Sequence, residues 1–170
     1  MIYSAFFIAL GFIFPVVFHM VGMGKIFLPM FWPMAACGFF LTWPYAVSVG
    51  LLTPLISMLL TGMPPVPILQ LMMAEFVVLI LTIRYFRQKT SLGVFWIVLT
   101  GMLASRVITW IIAGWIAPLF GLPPDLYALT RMVQGIPGFA CILFVVPLLI
   151  HRIQHLPVFR MRKSHVPSPS

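Results

Sequence analysis

The chain has 170 residues, of which 62% are hydrophobic and 7% are charged, and its mean hydropathy is +1.14. Soluble domains carry about 25% charged residues, so this composition excludes a soluble domain and indicates an integral membrane protein. The formal net charge of +8 does not require a nucleic-acid partner. Most of the Lys and Arg residues form two short clusters beside apolar segments, as is typical of membrane proteins.

Six apolar segments follow one another along the chain. They cover roughly Ile2–Phe18, Leu28–Thr42, Tyr45–Thr61, Ile68–Phe86, Leu92–Ala117 and Tyr127–Ile150. A membrane-spanning helix needs about 20 residues, so we predict an all-α integral membrane bundle of six transmembrane helices. This domain covers residues 1–155, and residues 156–170 form a polar tail that we expect to be disordered. The second segment is short and contains Pro33, so it is expected to be tilted or partly buried by its neighbours.

The two basic clusters set the expected orientation. The first lies between the fourth and fifth segments, and the second follows the sixth segment. Their members are Arg84, Arg87, Lys89, Arg152, Arg160, Arg162 and Lys163. With six spans, both clusters and the N-terminus fall on one side, which the positive-inside rule assigns to the cytoplasm. The loops 19–27, 62–67 and 118–126 then face outward.

Three ionisable residues lie within the outer half of the predicted bundle: Glu75, Arg106 and Arg131. Ionisable groups inside a membrane are costly to bury and usually mark a functional site. Gln134 follows Arg131 by almost one helical turn, so both share a face of the sixth segment. We interpret these residues as a polar substrate pocket, in which the excess of cations favours a ligand with a carboxylate or phosphate. The alternatives are a purely structural Glu75–Arg106 ion pair, and a Gln134 that bonds a neighbouring helix.

The first and second outer loops would cover this pocket. His19 and Lys25 could contribute to substrate binding from the first loop, although Lys25 could equally be a solvated loop charge. Gly permits close backbone approach and Pro stiffens a turn, so both suit a lid as well as an ordinary membrane turn. The predicted lid residues are Gly22, Gly24, Gly62, Met63, Pro64 and Pro65.

Twelve methionines raise the alternative of a copper or cobalt site, because thioether ligands suit Cu(I). However, no His/Met pattern repeats at ligand spacing, and Met also fills adaptable apolar pockets. We therefore expect neither a metal nor a cofactor. The sequence also contains no Ser/His, Asp/Asp or H-E-x-x-H arrangement that would favour an intramembrane enzyme. We predict a protein that captures a ligand without covalent chemistry.

Five short motifs occur in a fixed order and together resemble the substrate-binding S components of energy-coupling-factor (ECF) transporters. They are His19-x-x-Gly22-x-Gly24, Leu28-Pro29-Met30-Phe31-x-Pro33, Gly50-Leu51-Leu52-Thr53-Pro54-Leu55-x-Ser57, Leu60-Thr61-Gly62-Met63-Pro64-Pro65 and Met72-Met73-x-Glu75. Members of this family often carry His after the Leu-Pro-Met run, whereas this chain has Phe31 and Trp32.

The resemblance implies a subunit of an ABC-type importer in the plasma membrane of a prokaryote. Such a subunit captures a vitamin or related micronutrient at the outer face and associates with a transmembrane T component and two cytosolic ATPases. This chain has no P-loop G-x-x-x-x-G-K-[ST], so ATP hydrolysis is expected only in those partners. The alternative from another class is a small membrane scaffold or assembly protein without a ligand.

The resemblance also assigns a role to the first segment. In S components an Ala-x-x-x-Ala motif on the first helix docks the T component, and Ala5 and Ala9 match that motif. Small residues four apart let helices approach closely, so packing within the bundle is the alternative role for this pair.

Overall fold

The computed structural model describes residues 2–116 and 135–154, and these residues form helices joined by turns and short irregular segments, without a β-strand. The helices are α1 (Ile2–Met20), α2 (Gly24–Phe27), α3 (Phe31–Phe40), α4 (Trp43–Thr61), α5 (Ile68–Lys89), α6 (Val94–Ile111) and α7 (Ile136–Gln154). A π-helical turn, Ile112–Ile116, continues α6. The prediction of an all-α bundle is therefore confirmed. The four-residue helix α2 was not predicted, because it lies in what we expected to be an irregular loop.

Four of these helices are long and apolar enough to cross a membrane, namely α1, α4, α5 and α6. Helix α3 and the apolar part of α7, Ile136–Arg152, are shorter. Each of the six predicted segments thus contains an apolar helix, and the protein is a membrane protein. The predicted start of the sixth segment at Tyr127 and the predicted tail 156–170 lie outside the described residues.

Helix α3 is the most enclosed part of the bundle. Its ten residues span about 15 Å, half of a bilayer core, and its neighbours α1, α4, α5 and α7 surround it. Met34, Ala35 and Cys37 are completely buried. Pro33 does not break this helix because it lies in the first turn, where backbone N–H groups have no intrahelical acceptor. Of the two alternatives predicted for the second segment, a tilt or partial burial by its neighbours, the burial is confirmed.

Glycines on three helices allow α5 to pack closely at the centre. A Cβ atom at Gly38 of α3 would lie 2.9 Å from Ile83 Cγ2, and one at Gly101 of α6 would lie 2.7 Å from Ile83 Cγ1. A Cβ atom at Gly50 of α4 would lie 2.9 Å from Ile80 Cδ1. In a membrane the lipid is as apolar as the helix surfaces, so the hydrophobic effect does not drive helices together. Close van der Waals contact of this kind is then a main source of helix association.

The six apolar helices alternate in direction. At one end, the indole Nε1 of Trp43 donates a hydrogen bond to Gln88 Oε1 at 3.2 Å, joining the start of α4 to the end of α5. We call this the basic end, since it carries Arg84, Arg87 and Lys89. At the other end, which we call the loop end, Phe18 of α1 packs against Trp32 of α3, with ring centroids 6.4 Å apart.

Helix α2 rests on the start of α7 at the loop end. A Cβ atom at Gly138 would lie 2.5 Å from the carbonyl oxygen of Ile26 and 2.6 Å from the carbonyl carbon of Phe27. These are backbone atoms, so a side chain at position 138 could be accommodated only by moving the two helices apart. The first loop is thus held against the bundle by a contact that requires glycine.

Candidate functional site

The buried acid Glu75 lies on α5, seven residues after its first residue, Ile68, and therefore about 10 Å along the helix axis from the loop end. It is only 4% exposed. A carboxylate so far from water must be paired or hydrogen-bonded, because desolvating an isolated charge is expensive. The surrounding helices supply those partners.

Arg106 of α6 is the charged partner of Glu75. Its Nη1 lies 3.2 Å from Glu75 Oε1. The Thr109 hydroxyl also contacts Glu75 Oε1 and lies 2.9 Å from the Ser105 carbonyl oxygen. A hydroxyl has one proton, so it can donate to only one of these acceptors at a time. Arg106 and Thr109 reach the same carboxylate because residues three apart share a helix face.

The guanidinium of Arg106 has a second set of contacts on its other side. Its Cζ lies 5.0 Å from the ring centroid of Phe31, a cation–π distance. Phe31 in turn packs edge-on against Phe76, with ring centroids 4.8 Å apart. The Nη2 atom of Arg106 is buried and has no hydrogen-bond partner among the described residues. We call Glu75, Arg106, Thr109 and Phe31 the polar centre.

The ionised Glu75 and Arg106 cancel each other's charge, so the polar centre has no net charge of its own. A ligand with a carboxylate or phosphate would therefore need another cation nearby. Arg131 is the predicted candidate, and both Arg131 and Gln134 lie outside the described residues. The expectation of an anionic ligand thus remains a prediction.

His19 and the first loop lie at the end of the bundle nearest Glu75. His19 is exposed in the last turn of α1, where its ring lies beside the backbone of Gly24. Gly22 has φ of +74° and closes α1 in a Schellman motif. In that motif the Gly22 and Met23 N–H groups donate to the carbonyls of His19 and Phe18, at 3.0 and 2.9 Å. Lys25 belongs to α2. Both residues that we predicted in the first loop, His19 and Lys25, therefore lie in helices.

The second predicted lid loop is anchored to the end of α4. Gly62 ends the helix with φ of +72°, a conformation that glycine adopts readily. The Ser57 hydroxyl donates to the Met63 carbonyl oxygen at 3.0 Å, and the Met63 N–H donates to Thr61 Oγ1 at 3.3 Å. These bonds fix the turn that precedes Pro64 and Pro65 at the loop end. A lid function for this turn stays a prediction.

The proposed docking residues Ala5 and Ala9 are both exposed on the outer surface of α1. The neighbouring Ile2 and Phe6 are exposed as well, whereas Phe7 is buried against α3 through a stacked contact with Phe40. The small-residue pair thus faces away from the other described helices. Both roles considered for Ala5 and Ala9, docking of a T component and packing within the bundle, stay predictions.

Two members of the polar centre were not predicted from the sequence. Thr109 could have been found, because it follows Arg106 by three residues on the same face of a segment that already carried a charge. Phe31 was noted only as a departure from the family pattern. No local spacing relates Phe31 to Arg106, which lies 75 positions later in the sequence.

Among residues 2–116 and 135–154, no group of three or more His, Cys, Asp or Glu is arranged to hold a metal ion. No protein-family model, curated protein or solved structure matches the chain. The candidate site is therefore defined by its own geometry: a buried ion pair, a hydroxyl and an aromatic ring in the half of the bundle nearest the loop end.

Proposed function

We propose that this protein is the substrate-binding S component of an ECF-type importer, which captures a vitamin or related micronutrient for ATP-driven uptake. The observation that carries the proposal is the buried Nη2 of Arg106, which lies beside Glu75 and has no hydrogen-bond partner in the described part of the chain. An unsatisfied buried donor is unfavourable, and a ligand oxygen or ring nitrogen at this position would satisfy it.

The polar centre is suited to capture rather than to covalent chemistry. Arg106 would donate to an acceptor on the ligand, and Phe31 would offer an apolar ring surface beside it. Glu75 would hold the guanidinium in place, and Thr109 would orient Glu75. The loops that begin at His19 and Gly62 would cover the ligand, and Arg131 and Gln134 would complete the site.

The outer surface of α1 supports the proposed partnership with a T component. Ala5 and Ala9 leave a shallow, apolar strip on which a second transmembrane helix could lie closely. Two cytosolic ATPases would complete the transporter and supply all ATP hydrolysis. The basic end would face the cytoplasm of a prokaryotic cell, with both chain termini on that side, following the positive-inside rule.

Mass spectrometry of the small molecules released by denaturing the protein purified from its native membrane would test this function. We expect one compound in nearly equimolar amount from the wild type and from the Ala5→Trp, Ala9→Trp variant, which keeps the polar centre. We expect it to be absent from Arg106→Met. Denaturing all samples identically controls for detergent and lipid background. Equal amounts of every compound from all three proteins would contradict the proposal.

A scaffold protein without a ligand is the second candidate, and the Glu75–Arg106 ion pair favours it, because that pair already satisfies the carboxylate. This candidate predicts that no compound is released from the wild type. It also predicts that Arg106→Met alters the recovery of partner proteins, without altering uptake of any vitamin.

A further inference from the structure

A shallow groove lies on the outer surface of the bundle between α4 and α5, close to the basic end. It is lined by Trp43, Leu81, Thr82, Tyr85 and Phe86. On α5, Leu81 and Tyr85 lie one turn apart, as do Thr82 and Phe86, so the four residues form two adjacent rows along the helix. The lining is mostly apolar and follows the α5 axis, which is the direction of an acyl chain in a bilayer.

Lys89 extends this face beyond the groove. It follows Tyr85 by four residues, which places it on the same side of α5 one turn closer to the end of the helix. It is exposed. In the described part of the chain the single acid is Glu75, which is buried and paired with Arg106. Lys89 therefore has no carboxylate partner there, and its charge is available to an anion from outside.

Gln88 adds hydrogen-bond donors beside Lys89. The Trp43 indole N–H, which can only donate, is bonded to Gln88 Oε1 at 3.2 Å. This bond fixes the orientation of the amide and leaves its two N–H groups for another acceptor. The end of the groove thus combines an ammonium group, amide donors and an indole ring, a set of groups that is typical of a membrane headgroup region.

We propose that this groove binds one anionic phospholipid from the leaflet at the basic end. One acyl chain lies against Leu81, Thr82 and Tyr85, and the phosphate contacts Lys89 and Gln88. From Leu81 to Lys89 the helix rises about 12 Å, so an upper chain segment and a headgroup both fit along it. The charge of Lys89 makes the site selective for anionic over zwitterionic lipid.

Native mass spectrometry of the full chain in detergent, with phosphatidylglycerol or phosphatidylcholine added, would test this site. We expect the wild type to retain one phosphatidylglycerol in preference to phosphatidylcholine. Lys89→Gln should lower that retention about fivefold, as expected for the loss of one lysine near an anionic lipid. Thr82→Trp, which fills the groove, should reduce retention of both lipids.

Arg152→Gln is the matched control, because Arg152 is another exposed cation in the last turn of a helix, on α7 rather than beside the groove. It should leave lipid retention unchanged. Equal losses in Lys89→Gln and Arg152→Gln would overturn the proposal in favour of diffuse attraction to the basic end. Equal retention of the two lipids by the wild type would overturn it too, and would leave an acidic protein as the partner of Lys89.

Discussion

Glu75 Oε1 of α5 lies 3.2 Å from Arg106 Nη1 of α6, and this ion pair connects the two helices within the apolar interior of the bundle. The side chain of Glu75 is 6% exposed and that of Arg106 is 23% exposed. Removing either partner leaves a charge with little access to water. Substitutions can therefore measure what the pair contributes to the free energy of unfolding, separately from its proposed role in ligand binding.

We predict that Glu75→Gln and Arg106→Gln each lower the free energy of unfolding by on the order of 3 kcal/mol, because each leaves an uncompensated buried charge. The double variant should lose less than the sum of the two, since it buries no charge. Unfolding in detergent, followed by circular dichroism across this double-mutant cycle, measures the coupling. Strictly additive losses would show that the two side chains do not interact.

The Thr109 hydroxyl also stabilises the carboxylate. Thr109→Val keeps the shape of the side chain but removes the donor, so we expect a loss of about 1.5–3 kcal/mol, typical of a hydrogen bond to a charged group. Thr100→Val on the same helix is the control, because the Thr100 hydroxyl bonds the backbone carbonyls of Trp96 and Ile97 rather than a charged group. A similar loss in both variants would argue against a specific bond to Glu75.

Gly138→Ala should destabilise the protein, although Ala is normally the better helix former. The new methyl group would meet the backbone of Ile26 and Phe27 at 2.5–2.7 Å. Gly114→Ala is the matched control, since no neighbouring atom of the described residues lies within 4 Å of the position that its Cβ would occupy; it should be neutral or slightly stabilising. Thermal unfolding of both variants provides the comparison, and an unchanged midpoint for Gly138→Ala would contradict the close contact between α2 and α7.

The exposed pair on α1 gives a test of partner docking. Ala5→Trp with Ala9→Trp should leave the unfolding midpoint unchanged, because both positions face outward, but should abolish co-purification with the T component. Leu103→Trp, at an exposed position on α6, controls for added bulk in the membrane away from α1. Intact assembly in the double variant would remove the docking role from this pair.

The proposed orientation predicts which side of the membrane reaches each loop. In a background with Cys37→Ala and Cys141→Ala, a membrane-impermeant thiol reagent should label Met63→Cys in intact cells. It should label Ser91→Cys only after the membrane is opened. Both native residues are exposed, at opposite ends of the bundle. The reverse labelling pattern would place the basic end outside.

Composition and the lengths of the apolar segments were sufficient to predict the membrane class and the all-α fold, because desolvated backbone must satisfy its own hydrogen bonds within each helix. The charge of Glu75 was also conspicuous in the sequence. Sequence patterns relate residues within one or two helical turns. They could therefore identify the ionisable residues that are costly to bury and predict which of them share a helix face.

Only the tertiary structure decided which residues meet across helices. It enclosed α3 among its neighbours, set Phe31 against Arg106, and left Ala5 and Ala9 exposed among the described helices. It also brought α3, α4 and α6 against α5 at Gly38, Gly50 and Gly101, where the lack of a side chain allows close approach. Such contacts join residues far apart in the chain, so no spacing within a single segment encodes them. The sequence therefore offered the pairing of Glu75 with Arg106 only as one of two interpretations, and the structure shows it as a contact.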